Sequence, residues 1–322
     1  MSAPGEFGLI ERHFSPPTTH TLLAGGDDAA LLEPAPGRQL AVTTDMLVEG
    51  VHFLPGTDAE ALGHKTLAVN LSDLAAMGAE PRWAFLALAL PEADEAWCAA
   101  FMAGFQALAR CHGTDLAGGD TTRGPRNLCV TLVGEVTPGH ALRRDGARPG
   151  DDLWLSGCTG EAAAGLWLRL GRVPAGAAGA AERVRCEARL DRPEPRVALG
   201  RAVSGLAHAA IDVSDGLLAD LGHVCRASGT GAELWWSRLP HSSALSWLSP
   251  RARAEAVLAG GDDYELILTA PPEARHHMTA AAIASGTPLA RIGRVSAEPG
   301  VRVLDRAGRD LTPDRRGFDH FG

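Results

Sequence analysis

Carboxylates recur in six short motifs along the chain. They are Gly25-Gly26-Asp27-Asp28, Thr43-Thr44-Asp45, Asn70-Leu71-Ser72-Asp73, Gly118-Gly119-Asp120-Thr121-Thr122, Asp212-Val213-Ser214-Asp215-Gly216 and Gly260-Gly261-Asp262-Asp263. Four of the six carry a Gly or a Gly pair, which permits positive φ and close backbone approach. Asp has a short stem, and Mg²⁺ takes oxygen ligands while keeping several waters, so such motifs suit a metal held beside a phosphate. Asn70 and Asp73, spaced i, i+3, would share a helix face. Taken singly, each motif also reads as turn chemistry or a helix cap. Taken together, gathered carboxylates repel by about 4 kcal/mol per pair at ~4 Å under an effective dielectric of ~20, so a shared site calls for cations.

Other phosphate-handling signatures are missing. There is no Gly-Lys dipeptide and hence no Walker A loop, no H-R-D or D-F-G, no G-x-G-x-x-G after a strand and no G-x-S-x-G elbow. A nucleotide would therefore be held through metal-bound phosphates and the backbone amides of Gly-rich turns. No Ser/His/Asp or Cys/His arrangement stands out. Lys65 is the only Lys among 30 basic residues; it is either a further cation for phosphate or half of a helix-surface salt bridge. His52 follows a strand-like run near Asp45, as a contact or a packed residue. Tyr264, the only Tyr, reads as a core residue with a hydrogen-bonded hydroxyl. Trp235-Trp236 lacks a surrounding basic patch and reads as core or interface packing rather than base stacking.

The elements that must position these residues alternate in type. Strand-like runs cover Leu40 to Thr44, ending at Asp45, then Trp83 to Leu90, Leu128 to Val136, Asp152 to Leu155, Ala209 to Ile211 and Tyr264 to Thr269. Helical periodicity covers Ala59 to Ala79, stopped by Pro81, and Asp94 to Cys111 with Asp94 as N-cap. Further helices start near Gly160 and cover Arg196 to Gly205, Ser214 to Ser228 and Pro272 to Ser285. A polar Gly/Pro stretch, Arg143 to Gly150, suits a domain junction. The mixed order favours α+β layers over a doubly wound sheet.

A length of 322 residues suggests two domains, and 45% hydrophobic with 21% charged residues is an ordinary globular balance. The net charge of −9 argues against gripping nucleic acid or an anionic membrane. The longest strongly apolar run, Trp83 to Leu90, is too short to span a membrane, and Met1 to Ile10 does not read as a signal peptide. A cytoplasmic location follows. The six cysteines form no C-x-x-C pair and read as free, mostly buried thiols in a reducing compartment.

In their order and spacing, the runs at 26–32, 43–53, 65–81, 118–124, 211–223 and 260–266 resemble the thiamine-monophosphate kinases, and the likeness extends from Gly5 to 317–321. The resemblance implies an α+β fold of the aminoimidazole-ribonucleotide-synthetase type in a homodimer. Residues 1–140 would form an N-terminal ATP- and Mg-binding domain that dimerises through its sheet. Residues 141–322 would form a C-terminal α/β domain completing the nucleotide and substrate site. It implies ATP-dependent phosphorylation of thiamine monophosphate to thiamine diphosphate, with several Mg²⁺ ions. Asp28, Thr43, Thr44, Asp45, Asp73, Asp120, Asp212 and Asp215 match metal ligands of the family, and Gly119, Asp120, Arg144 and Ser214 match ATP contacts. His52 and residue 262 match substrate contacts. Asp262 stands where the family usually has Glu, and Arg315 where some members carry Trp, so ring cover would fall to Phe318 or Arg315. The acceptor in this reaction is an ionised phosphate oxygen, so no general base is required. The competing readings are another ATP-using enzyme of the same superfamily and a non-catalytic Mg-nucleotide binder. Selenophosphate synthetases need a reactive Cys near the N-terminus, where this chain's first is Cys98; hydrogenase-maturation relatives end in Cys, where this chain ends His320-Phe321-Gly322.

Overall fold

A computed structural model describes residues 6–174, 176–314 and 316–318. It divides into two units, Met1–Leu74 with Ala79–Gly139 and Ala75–Gly78 with His140–Gly322. In the first, α1 (Glu6–His13), β1 (Thr21–Leu23) and β2 (Leu31–Leu32) precede β3 (Gln39–Val48) and α2 (Ala59–Ala76). There follow β4 (Glu80–Leu90), α3 (Glu95–Cys111), β5 (Asp115–Arg123) and β6 (Asn127–Val136). β3, β6, β4 and β5 lie in that order in one sheet; β4 and β5 run parallel, as the helical crossover α3 between them allows.

β3 shows the two-residue period that decides what it offers to each side. Leu40, Val42 and Met46 are exposed, while Ala41, Thr43, Asp45 and Leu47 alternate with them and are more buried. Helix α2 is buried almost all round, with Leu62, Leu67, Leu71 and Leu74 inaccessible and Lys65, Thr66, Asn70 and Ser72 buried beside them. It crosses α3 at two glycines. A Cβ at Gly63 would lie 1.9 Å from the Phe101 carbonyl oxygen, and one at Gly104 would lie 1.8 Å from that of Glu60. Asp94 caps α3 as expected, accepting from the amides of Ala96 and Trp97 at 3.0 Å each.

The second unit contains β7 (Asp152–Ser156), α4 (Glu161–Arg169), α5 (Ala180–Asp191), α6 (Val197–Val203), β8 (Ala209–Asp212), α7 (Leu217–Ser228) and β9 (Gly231–Trp235). After these come α8 (Pro250–Ala259), β10 (Leu266–Ala270), α9 (Arg275–Ser285), β11 (Leu289–Ser296) and β12 (Gly300–Leu304). Six strands form one sheet in the order β12-β9-β11-β7-β10-β8, antiparallel except for β12 on β9. β7 and β10 are buried along their whole lengths and pair centrally. The predominantly antiparallel pairing makes this an α+β fold, as the mixed element order suggests.

Several boundaries differ from expectation, each for a local reason. α2 stops at Ala76, before Gly78 turns the chain at φ +67°, so the helix never reaches Pro81. Pro81 lies within β4, beside an irregularity in its pairing with β6. The helix expected from Ser214 begins at Leu217, because Asp212-Val213-Ser214-Asp215-Gly216 forms the strand end and turn before it. Tyr264 precedes its strand, since its φ of +53° is incompatible with one. The helix expected over Arg196 to Gly205 is confined to Val197–Val203, and the first three residues of the run from Pro272 are a 3-10 turn. Helix α5 starts at Ala180, at the end of the Ala/Gly run at 174–181, and buries Cys186 and Leu190.

Candidate active site

In the first unit three of the acidic motifs lie inside elements, while Gly25 to Asp28 falls between β1 and β2. Asp45 is mid-strand in β3, Asp120 is in β5 and Asp73 is in α2. Thr43 and Asp45 share the face of β3 that meets α2. There the Thr43 hydroxyl donates to Asp73 Oδ2, and the Asp45 amide donates to Asn70 Oδ1 at 3.1 Å. Asn70 itself donates to the Thr66 carbonyl at 3.2 Å, so its oxygen is turned toward the strand. Burial, and then the neighbouring Asp73 carboxylate, push the Asp45 carboxyl up to about 6. Two carboxylates and a hydroxyl on facing elements are hard oxygen donors whose mutual repulsion a divalent cation relieves. Among the described residues no group of three or more His, Cys, Asp or Glu side chains is arranged to hold a metal alone. That combination fits Mg²⁺, which is commonly held by one or two carboxylates together with substrate phosphates.

The remaining candidates of this unit are dispersed. Asp28 is exposed, and its amide donates to Asp27 Oδ1 at 2.9 Å. Thr44 points to the opposite face from Asp45, with its hydroxyl 2.9 Å from that of Thr131. Asp120 is exposed, following Gly119, where φ is +157° and a Cβ would meet the Leu86 carbonyl oxygen at 1.9 Å. His52 closes the turn after β3. Its Nδ1 accepts from the Val48 amide at 3.0 Å, which leaves the proton of a neutral ring on Nε2. Lys65 is 3% exposed, so it is a buried residue of α2 and not a surface one. A cavity of about 390 Å³ lies beside the end of β5, lined by Leu90 to Ala93 and Thr121 to Arg123; none of the candidate residues lines it.

In the second unit two acidic motifs are laced together. The amide of Val213 donates to the Glu265 carbonyl, that of Tyr264 to Val213 and that of Asp262 to Ser214, all at 2.8 Å. Asp212 is buried at the end of β8, opposite Leu266. Asp262 and Tyr264 both have left-handed backbones, φ +68° and +53°, and the Tyr264 hydroxyl donates to Asp262 Oδ1 at 3.1 Å. The Asp215 carbonyl accepts from the Phe318 amide at 3.0 Å, and the Phe318 ring is half exposed. Arg144 is exposed, its carbonyl accepting from the Ser228 hydroxyl at 2.9 Å. Arg315 lies outside the described residues.

Three buried carboxylates were given no role by the sequence reading, although Asp263 was singled out with its motif. Asp220 accepts from the amides of Asp215 and Gly216, each at 3.1 Å; burial first, and Asp215 second, push it up to about 7. Asp263 is 1% exposed. Glu265 is inaccessible and bound by Arg196 at 2.7 Å through two nitrogens, by Arg189 at 2.8 Å and by the Ser156 hydroxyl at 2.5 Å. The available signal for all three was position: each sits within or just beyond a motif already singled out. Two other expectations need correcting. Trp235 does have basic neighbours, with Arg238 and Arg291 over its ring at 5.4 and 5.5 Å, while Trp236 packs on the core. All six cysteines are free, but only Cys98, Cys186 and Cys225 are fully buried.

Two sheet-bearing units, each carrying acidic Gly-rich motifs, define a class. Residues 26–136 match the AIR synthase related protein N-terminal domain, and residues 148–306 match its C-terminal domain. Thiamine-monophosphate kinase of Escherichia coli K12 is 43% identical over 323 residues, 99% of both chains. The crystal structure of thiamine-monophosphate kinase from Stenotrophomonas maltophilia K279a is 48% identical, with TM-score 0.83 over 93% of this chain and 92% of that one. A structure of AaThiL complexed with AMPPCP and TMP is 32% identical, with TM-score 0.76 over 98% and 97%. The chain belongs to the thiamine-monophosphate kinase family. Among the described residues no helix is long and apolar enough to cross a membrane.

Proposed function

We propose that this chain transfers the γ-phosphoryl group of ATP to thiamine monophosphate, giving thiamine diphosphate. The likeness to thiamine-monophosphate kinases along 99% of both chains carries the reading. Phosphoryl transfer is mostly positioning and neutralisation of charge on the phosphoryl oxygens, and the acceptor phosphate is already ionised. Mg²⁺, when bound, would supply the charge neutralisation. Asp28, Thr43, Thr44, Asp45, Asp73, Asp120, Asp212 and Asp215 are the proposed ligands of several such ions, although the Thr44 hydroxyl lies on the opposite face from Asp45, beside that of Thr131. Gly119, Asp120, Arg144 and Ser214 serve ATP. His52, Asp262 and Arg315 serve thiamine monophosphate, and the half-exposed Phe318 offers an aromatic surface for its rings.

The working form is a homodimer in the cytoplasm, joined through the first unit. The exposed Leu40, Val42 and Met46 of β3, an edge strand, support that face as the contact. Incubation of the purified chain with ATP, Mg²⁺ and thiamine monophosphate, with products separated by chromatography, tests the reaction. Thiamine diphosphate appearing in step with ADP is the expected result; bound but unconverted ATP would refute it.

A further inference from the structure

We propose that Asp263 is a positioning residue for the substrate contact Asp262, clasping the loop 260–264 to the first turn of α4. The inference rests on the kinase reading given above. Asp263 Oδ2 accepts from the Gly160 amide at 2.7 Å, while Oδ1 is buried without a hydrogen-bond partner. A buried carboxylate with one unmet oxygen is unfavourable to keep, and an apolar residue of similar size would fill the same space without that penalty. What the carboxylate adds is a fixed point for the backbone on either side of it. Both neighbours, Asp262 and Tyr264, hold left-handed conformations that side chains other than Gly rarely adopt, so something must over-determine them.

The surroundings supply the rest of that constraint. A Cβ at Gly260 would meet the Ala256 carbonyl oxygen at 2.4 Å and the Ala163 side chain at 2.5 Å, and one at Gly261 would meet the Ser214 carbonyl oxygen at 2.4 Å. The loop is thus pressed onto α4, α8 and the 213–214 segment, and Asp263 is its side-chain link to α4. Downstream of the clasp, the Tyr264 hydroxyl holds Asp262 Oδ1 at 3.1 Å. Asp262 is one methylene shorter than the Glu usual at this place in the family. A shorter stem has fewer rotamers with which to correct a displaced backbone, so the placement of the loop decides the reach of the carboxylate. Burial pushes the Asp263 carboxyl well above its ordinary range, and an amide in its place keeps the shape and an oxygen to accept from the Gly160 amide.

The test compares the full-length chain with Asp263→Ala and Asp263→Asn, in steady-state kinetics and amide hydrogen exchange. Asp263→Ala should raise KM for thiamine monophosphate about tenfold or more, with kcat and KM for ATP changed less than about threefold. Asp263→Asn, which keeps an acceptor for the Gly160 amide, should restore KM. Exchange should quicken at 260–264 and 160–164 in the Ala variant and return to normal in the Asn variant. Should Asp263→Ala fail to fold, Asp263→Ser, too short to reach that amide, takes its place. An unchanged KM for thiamine monophosphate in a folded variant, or kcat and both KM values moving together, overturns the proposal. If the unaltered chain makes no thiamine diphosphate, the kinase reading falls, and the exchange pattern alone decides whether Asp263 holds the loop.

Discussion

At the scale of single residues, the chemistry depends on carboxylates placed where carboxylates are unfavourable. Asp45 shows this most directly, because burial first, and Asp73 second, push its carboxyl up from the ordinary 3.8 to about 6. The folded chain therefore binds the charged form less well than the unfolded chain does, and without a cation that charge is a liability at neutral pH. Asp45→Asn should leave the metal-free melting temperature unchanged or raised, while lowering kcat by roughly a hundredfold or more. Calorimetry in chelator and turnover at ordinary Mg²⁺ concentration check the two halves separately. Asp73→Asn should behave alike in turnover, though it also loses the acceptor for the Thr43 hydroxyl. Near-normal activity in either variant would sink the metal-ligand assignment. The motifs themselves were readable in the chain, because Asp beside Gly or Thr has few other uses in such number. Asp220 and Glu265 were not readable as supports, since only the fold shows that each is buried against the backbone or the arginines it holds.

At the scale of elements, two close approaches carry more than their sequences suggest. Glycine inside a helix usually weakens it, so Gly63 and Gly104 read as blemishes in otherwise good helices. They are the crossing point of α2 and α3, where a methyl group would stand inside 2 Å of a backbone carbonyl oxygen. Gly63→Ala should destabilise by about 3 kcal/mol or more, seen as a lower urea midpoint with unchanged slope. A second tie joins β7 to α9 and β11. Burial would raise the Asp152 carboxyl, but hydrogen bonds from Arg275 and Arg291 outweigh it and hold it below 3.8. A depressed carboxyl stabilises the fold fully above its ordinary value and loses that contribution as pH falls through the lower folded value. Asp152→Asn should therefore destabilise at pH 7 by about 1–3 kcal/mol, with a deficit that narrows below pH ~4 in acid titration. Strand and helix identities were largely legible from periodicity, and the Asp94 cap from its residue type. The ends were less so: Pro81 in a strand and Tyr264 at positive φ obey tertiary constraints that overrule local preference.

At the scale of the whole molecule, the proposed homodimer addresses a problem that the first unit has by itself. β3 is ten residues long, sits at the edge of its sheet and carries neither Pro nor Lys. Long edge strands of that kind offer unpaired backbone groups to any passing strand unless something covers them. Its outward residues add apolar area: Leu40 is 47% exposed, Val42 62% and Met46 52%. The formal charge of −9 gives general repulsion between copies, so association must come from a local patch that is itself uncharged. The row Leu40, Val42, Thr44, Met46 is such a patch, and Asp45 is turned away from it by the strand's alternation. Val42→Lys places a charge in the centre of that row without touching Asp45, Asp73 or the core. Sedimentation velocity should find the unaltered chain as a dimer at micromolar concentration and Val42→Lys shifted toward monomer, with far-UV circular dichroism unchanged. Because a two-fold interface buries each substitution twice, the destabilisation per dimer should be about double that of one site, so dissociation should be plain even if each Lys costs only about 2 kcal/mol. A monomeric unaltered chain would refute the homodimer, a Val42→Lys variant that stays dimeric would place the contact elsewhere, and either would leave β3 as an edge needing another cover.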